Sequence, residues 1–130
     1  MVTLAEVRDY LKTLKVFSAN SYYIGRIDAA KKNVLGVYSL KNNSRHKCIG
    51  GAEKYEIKGI SLLIHGDTNK DNTEKLANKL YAALDSVESG KVGGKNIQYI
   101  ELLQDAPIDV DTDSNKIYEY VIEVNFYLDK

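Results

Sequence analysis

The chain ends in a long segment in which every second residue is apolar, and no other feature constrains the fold as strongly. Polar residues, including Glu119, Glu123 and Asn125, lie between the apolar ones. The side chains of a β-strand alternate between its two faces, so this pattern predicts a strand of about a dozen residues with one apolar and one partly polar face. The apolar set is Tyr118, Tyr120, Ile122, Val124, Phe126 and Leu128.

Two segments have the periodicity of amphipathic helices. Thr3 and Glu6 have the spacing of a capping box ahead of apolar residues at helical intervals, which predicts a helix over residues 3–15. Polar residues 67–73 offer several N-caps for a second helix. We expect this helix to end near Ser89 and Gly90, because glycine closes helices in the left-handed conformation. Its apolar residues are Leu76, Ala77, Leu80, Ala83, Leu84 and Val87.

Further strands are predicted where Tyr, Ile and Val are concentrated. Residues 21–28 and 34–40 read as a hairpin, and residues 97–103 follow a Gly93-Gly94 turn. Residues 55–64 form another strand in which the apolar positions change from odd to even numbers around Gly59. One inserted residue would restore a single buried face, so we expect a bulge or a sharp bend at Gly59.

The remaining residues are interpreted as loops. Residues 41–52 contain little that packs and two adjacent glycines, and residues 105–115 are acidic and contain Pro107. The order of elements predicts an α+β fold, with a four- to five-stranded antiparallel or mixed sheet and two helices packed on one face. At 130 residues the chain fits a single domain, residues 1–130.

Charge is balanced overall but unevenly distributed. The chain has 18 basic and 18 acidic residues, which argues against a general or sequence-specific nucleic-acid binder. Residues 26–58 hold eight basic and three acidic residues, a net charge of +5, whereas residues 101–130 hold two basic and eight acidic residues, a net charge of −6. Opposite surfaces suit head-to-tail association, but the two segments can also neutralise each other within one fold.

Three short motifs are candidates for chemistry, and each has a simpler explanation. Cys48 follows Arg45, His46 and Lys47, which would lower a thiol pKa, but no base is tied to it. His65 and Asp67 suit a general base with an orienting carboxylate, or a polar strand end leading to a helix cap.

The third motif is an alternation of aspartates. Asp109, Asp111 and Asp113 begin like a calcium loop, but Ser114 and Tyr120 stand where such a loop has glycine and glutamate. We therefore predict an acidic solvated loop at which weak cation binding stays open as an alternative. With no other chemical signature in the chain, we predict no dedicated metal site, no cofactor and no catalysis. The N-terminus lacks a signal-peptide core and the apolar runs are too short to span a bilayer, so we expect a cytoplasmic protein without membrane contact.

Several segments, in order, resemble one family of phage proteins. The acidic segment matches a Pro-x-Asp-Val-x-x-Asp pattern through Pro107, Asp109, Val110 and Asp113, and suits a turn. The chain is similar to the small minor capsid proteins of tailed phages of Gram-positive bacteria, which belong with the tail terminators between tail tube and head. The segments that carry the resemblance are residues 23–28, 36–40, 49–51, 55–66, 100–113 and 118–122.

The resemblance implies a structural virion protein, or a component of a phage-tail-like particle, assembled in the host cytoplasm. Family members form rings, commonly hexameric, that cap the tail tube, stop its polymerisation and offer a surface to the head connector, or to a sheath if present. A head-tail adaptor without length control is the first alternative, and a small enzyme or binding module using His65, Asp67 or Cys48 is the second. The predicted subunit or tube contacts are Lys41, Arg45, Lys47, Asp109, Asp111, Asp113, Tyr118 and Tyr120.

Overall fold

The computed structural model describes residues 1–40 and 55–130. Within them two helices and a mixed sheet form an α+β fold, as predicted. In chain order the elements are α1 (Leu4–Lys12), β1 (Tyr22–Ile24), β2 (Val34–Ser39), β3 (Tyr55–His65), α2 (Lys70–Asp85), β4 (Lys91–Val92), β5 (Lys95–Leu102), β6 (Ile108–Thr112) and β7 (Tyr118–Asp129).

The predicted long strand, β7, lies in the middle of the sheet. One of its edges pairs antiparallel with β3 along 11 residue pairs, from Tyr55 opposite Asp129 to His65 opposite Glu119. Its other edge pairs with β5 near the C-terminal end and with β6 near the N-terminal end. The strand order is β1-β2-β3-β7-β5-β4, with β6 beside β7, so the sheet has seven strands and is larger than predicted.

Both helices pack with the even-numbered side chains of β3 and β7 in one core. Tyr10 of α1 meets Phe126 of β7 edge to face, with ring centroids 6.0 Å apart. Leu80 and Leu84 of α2 belong to the same cluster, and each is 1% exposed. The odd-numbered residues of β3 and β7 form the outer face of the sheet, opposite the helices. None of the helices in residues 1–40 and 55–130 is long and apolar enough to cross a membrane.

The predicted hairpin of residues 21–28 and 34–40 is wrong, because β1 and β2 are parallel. Residues 25–33 carry the chain back so that both strands run in the same direction. This connection packs over the outer face of the sheet. A Cβ added to Gly36 would lie only 2.8 Å from the side chain of Ile27, so the two residues are in close contact. Ile27 is half-buried against the sheet. A tight turn between the two strands would be too short to place it there.

The predicted bulge at Gly59 is also wrong, since the register of β3 with β2 and with β7 is continuous. The change of apolar parity has a different cause. Glu56 lies on the helix-covered side of β3 and is 8% exposed, whereas Tyr55 on the outer side is 41% exposed. A buried carboxylate therefore occupies a position that an apolar residue was expected to fill.

Several other boundaries differ from the prediction, including that of α1, which ends at Lys12 instead of residue 15. Helix α2 ends at Asp85 with Ser86 as its C-cap in the right-handed conformation, instead of at Ser89 and Gly90. Gly90 is not left-handed; a Cβ there would lie 3.0 Å from the ring of Tyr10, so glycine allows close packing instead. The expected acidic loop contains strand β6, and β4 and β5 flank a turn in which Gly93 and Gly94 both have positive φ.

Candidate assembly surface and an adjoining histidine cluster

The predicted contact residues divide between the part of the chain that the structure describes and the part that it does not. Lys41, Arg45 and Lys47 lie outside the described residues, as do His46 and Cys48. The acidic candidates lie on β6, which pairs with β7 at the edge of the sheet, and on the turn that follows it. We name residues 105–115 the acidic segment.

Asp109 connects β6 to the start of α2. Its Oδ2 lies 2.8 Å from Nζ of Lys70, and this Nζ lies 5.9 Å from the ring centroid of Tyr118. The hydrogen bond from Lys70 and the one from the Asp111 backbone hold the pKa of Asp109 below its ordinary value. Both members of this ion pair are substantially exposed, so the contact orients the side chains more than it stabilises the fold.

Asp111 lies at a β-bulge in β6. The register shifts by one residue between Asp109 and Thr112, and Asp111 has φ of 64°. Its backbone N–H donates to Oδ1 of Asp109 at 2.9 Å, which fixes the turn. Asp111 is exposed and the adjacent Val110 is 41% exposed. The bulge therefore presents one carboxylate and one apolar side chain to solvent.

The two tyrosine candidates lie on the helix-covered side of β7. Tyr120 is 3% exposed and belongs to the core, and burial raises its pKa. Tyr118 is half-buried beneath Lys70. Of the two, Tyr118 has more surface available to a neighbouring protein.

A histidine cluster lies at the end of β3 next to the acidic segment. His65 has 0% exposure, and its Nδ1 lies 2.7 Å from Oε2 of Glu119 and 3.8 Å from Oδ2 of Asp113. Nε2 of His65 lies 3.2 Å from the carbonyl oxygen of Ala29, in the connection between β1 and β2. Four parts of the chain therefore meet at one imidazole ring. We call His65, Asp113 and Glu119 the histidine cluster.

Local sequence did not predict this cluster. His65 and Glu119 are direct partners across β3 and β7 but lie 54 positions apart in the chain. The sequence suggested Asp67 as the carboxylate for His65, whereas Oδ1 of Asp67 accepts the backbone N–H of Asn69 at 2.7 Å. Asp67 thus belongs to the polar turn before α2, and the imidazole is too buried to offer surface to a substrate.

The aspartates of the apparent calcium pattern have separate partners. Asp109 pairs with Lys70, whereas Oδ1 of Asp113 accepts the backbone N–H groups of Asn115 at 2.8 Å and Ile117 at 3.0 Å. The bonds of Asp113 close a turn between β6 and β7, in agreement with the turn-forming interpretation of the sequence. Asp109 and Asp113 therefore have different partners and do not share one oxygen-lined loop.

The outer face of the sheet carries a cluster of tyrosines. Tyr127 lies between Tyr55 and Tyr99, with ring centroids 6.1 and 5.6 Å away. Tyr99 is 59% exposed, and the hydroxyl of Tyr127 donates to Glu101 at 3.1 Å. Exposed tyrosines offer apolar area with a polar tip, a combination that is enriched in protein interfaces.

Comparison with known proteins identifies one family. A family model described as bacteriophage tail terminator protein matches residues 10–130. The match includes every strand, the acidic segment and the histidine cluster. No curated protein matches the chain.

Proposed function

Because the chain belongs to the bacteriophage tail terminator family, we propose that it forms a ring that caps the tail tube and ends tube polymerisation. Family membership makes the chain a structural component of a phage tail and therefore of the virion. In the proposed assembly, residues 1–130 act as one terminator domain, six copies close the ring, and the exposed surface of the ring docks the head connector or a sheath. Assembly takes place in the host cytoplasm.

The match over residues 10–130 is the observation that carries this proposal. Membership of a structural family also argues against an enzyme, and the complete burial of His65 removes the most suitable catalytic side chain from solvent. We infer a protein that works through its surfaces, without a catalytic role.

The distribution of charge supports head-to-tail contacts between subunits. In the described residues Asp109 pairs with Lys70, while Asp113 and Glu119 pair with His65. Neither Lys70 nor His65 belongs to the basic segment, residues 26–58. The imidazole of His65 bonds to that segment at the backbone carbonyl of Ala29, which carries no charge. The positive charges at Lys41, Arg45 and Lys47 are thus proposed to meet the acidic segment of the next subunit. A ring of identical subunits closes when such a contact repeats.

Contacts within the subunit favour Asp111 among the three predicted aspartates of the acidic segment. Asp109 has an ion pair within the subunit and Asp113 is directed toward His65, whereas Asp111 is exposed beside Val110. We assign Asp111 as the acidic residue nearest the next subunit, with Tyr118 and Lys70 at the margin of the same surface.

A charge-exchange experiment tests this contact. Arg45→Glu with Lys47→Glu should weaken ring formation or tail docking, because like charges then face each other, and Asp111→Lys should do the same. Combining Arg45→Glu with Asp111→Lys should restore part of the assembly. Sedimentation of the purified chain, alone and with tail tubes, measures the effect at physiological salt.

The matched control is Lys79→Glu with Lys91→Glu, which makes the same change in net charge at exposed positions on α2 and β4. We expect this variant to assemble normally. Unchanged assembly of the Arg45 and Lys47 variant at physiological salt, or absence of rescue in the exchange, would contradict the proposed contact.

A further inference from the structure

The polar partners of His65 are all hydrogen-bond acceptors, and three of the donor atoms that could bind a metal lie close together around the ring. The carbonyl oxygen of Ala29 can only accept, so Nε2 of His65 carries a proton. A neutral imidazole then has its lone pair on Nδ1, directed at Oε2 of Glu119 and Oδ2 of Asp113, which also accept. These three acceptors can lie together only with a proton or a metal ion between them: a second proton on His65, a proton on one carboxyl group, or a metal ion.

Each of the three side chains in the histidine cluster is held in place by other contacts, as the ligands of a metal site commonly are. Ligating histidines commonly donate their other ring N–H to a backbone carbonyl, as His65 does to Ala29. Two backbone N–H groups hold Oδ1 of Asp113, which leaves Oδ2 for the cluster. Glu119 is held opposite His65 by the continuous pairing of β3 and β7.

We propose that Nδ1 of His65, Oδ2 of Asp113 and Oε2 of Glu119 bind a divalent transition-metal ion of the Zn²⁺ class. The three donor atoms all lie within 4.8 Å of one another. One imidazole and two carboxylates are ligands that Zn²⁺ accepts, and its double charge offsets that of the two carboxylates. The two carboxylate side chains are each 17% exposed, whereas His65 is fully buried.

The observed distances bracket those of a tetrahedral site. Ligands about 2.0–2.2 Å from Zn²⁺ lie about 3.3 Å from one another. The two distances from Nδ1 are 2.7 Å to Glu119 and 3.8 Å to Asp113. Along these two directions, binding requires Glu119 to move outward and Asp113 to move inward by about half an ångström.

A metal here would connect the ends of β3 and β7 to the turn at Asp113. Together with the bond from His65 to Ala29, it would fix the connection between β1 and β2 on the outer face of the sheet. This role is structural and does not depend on the proposed ring, because all the ligands come from one subunit.

The test uses the full chain with His46→Ala and Cys48→Ser, so that His65 is the one remaining histidine and no thiol competes. After treatment with a chelator, Zn²⁺ alone is added and followed by calorimetry and by thermal unfolding. We expect one Zn²⁺ per chain and a higher unfolding temperature, because binding to the folded state alone shifts the unfolding equilibrium.

Two variants remove ligands and one serves as the control. Asp113→Asn keeps the oxygen that accepts from Asn115 and Ile117, so the turn is preserved, and it should weaken Zn²⁺ binding at least about tenfold. Glu119→Gln should have the same effect. Asp85→Asn removes the same charge at an exposed position at the end of α2, outside the cluster and the acidic segment, and should leave binding unchanged.

Nitrogen NMR of the single remaining imidazole distinguishes metal from proton. Zn²⁺ should shift the Nδ1 resonance while Nε2 keeps its proton. If no Zn²⁺ binds and both ring nitrogens are protonated, the cluster is an imidazolium ion pair and the proposal is wrong. Equal binding by the Asp113→Asn, Glu119→Gln and Asp85→Asn variants would place any metal elsewhere and would likewise overturn it.

Discussion

At the scale of single residues, Glu56 explains why the apolar positions of β3 change from odd to even numbers around Gly59. Its Oε2 accepts the backbone N–H of Val2 at 2.6 Å, and its Oε1 accepts from Nζ of Lys95. Burial raises the pKa of Glu56, but the bonds from Lys95 and Val2 outweigh burial and hold the pKa below its ordinary value of 4.5. One carboxylate thus joins the N-terminal segment, β3 and β5.

Replacing Glu56 by glutamine should destabilise the protein in a pH-dependent way. At neutral pH, Glu56→Gln should lower the free energy of unfolding by about 1–3 kcal/mol, because the buried partners lose a charged acceptor. Since the pKa of Glu56 is lowered in the folded state, its contribution is present above pH 4.5 and is lost as the pH falls through the folded pKa. Urea unfolding of both proteins over a pH series measures the difference.

Glu88→Gln is the control, because Glu88 is exposed on the segment after α2. It should change the unfolding free energy little at any pH. A Glu56→Gln effect that stays constant well below pH 4.5 would show that the charge of Glu56 is not what stabilises the fold.

At the scale of elements, the connection from β3 to α2 depends on one close approach. Oγ1 of Thr73 donates to the carbonyl of Asn69 at 3.0 Å and accepts the N–H of Asp67 at 3.1 Å. A Cβ on Gly66 would lie 2.2 Å from this Oγ1. Gly66 therefore allows the end of β3 and the first turn of α2 to pack against each other.

Gly66→Ala should lower the free energy of unfolding by about 1–3 kcal/mol, the range typical of overpacked interiors. Thermal or urea unfolding measures the effect. Thr73→Ala removes the two atoms that would lie closest to the new methyl group. The cost of Gly66→Ala should then be smaller in the Thr73→Ala background, and an equal cost in both backgrounds would contradict the contact.

Elements encoded by neighbouring residues were predictable. The capping box of Thr3 and Glu6, the periodicity of α2 and the alternation in β7 all appear in the structure. These signals are local because caps and side-chain periodicity act within a few residues. Both helices and the central strand could therefore be located before the fold was known.

Features that depend on distant partners were not predictable. β1 pairs with the edge of β2 that β3 does not occupy, and β6 pairs with the part of β7 that β5 does not occupy. These pairings therefore depend on how the other strands are arranged. The histidine cluster depends on the register that sets His65 opposite Glu119. At Glu56, tertiary hydrogen bonds override the usual preference of a core position for apolar residues. In each case the deciding partner lies far away in the sequence.

At the scale of the whole molecule, the chain combines zero net charge with a basic segment and an acidic surface. The sheet holds the acidic segment at its edge and the tyrosine cluster on its outer face, with both helices on the opposite side. These surfaces, together with membership of the tail terminator family, support a protein whose function is to bind other tail components.

Electron microscopy of particles from a producing strain that lacks this chain would show whether the chain ends growth of the tail tube. Tail-tube length and head attachment are scored against the parent strain and against the deletion strain complemented with the intact gene. We expect overlong, uncapped tubes, because nothing then ends polymerisation of the tube protein. Tubes of normal length that are separated from filled heads would instead indicate an adaptor, and intact particles would contradict a terminating role.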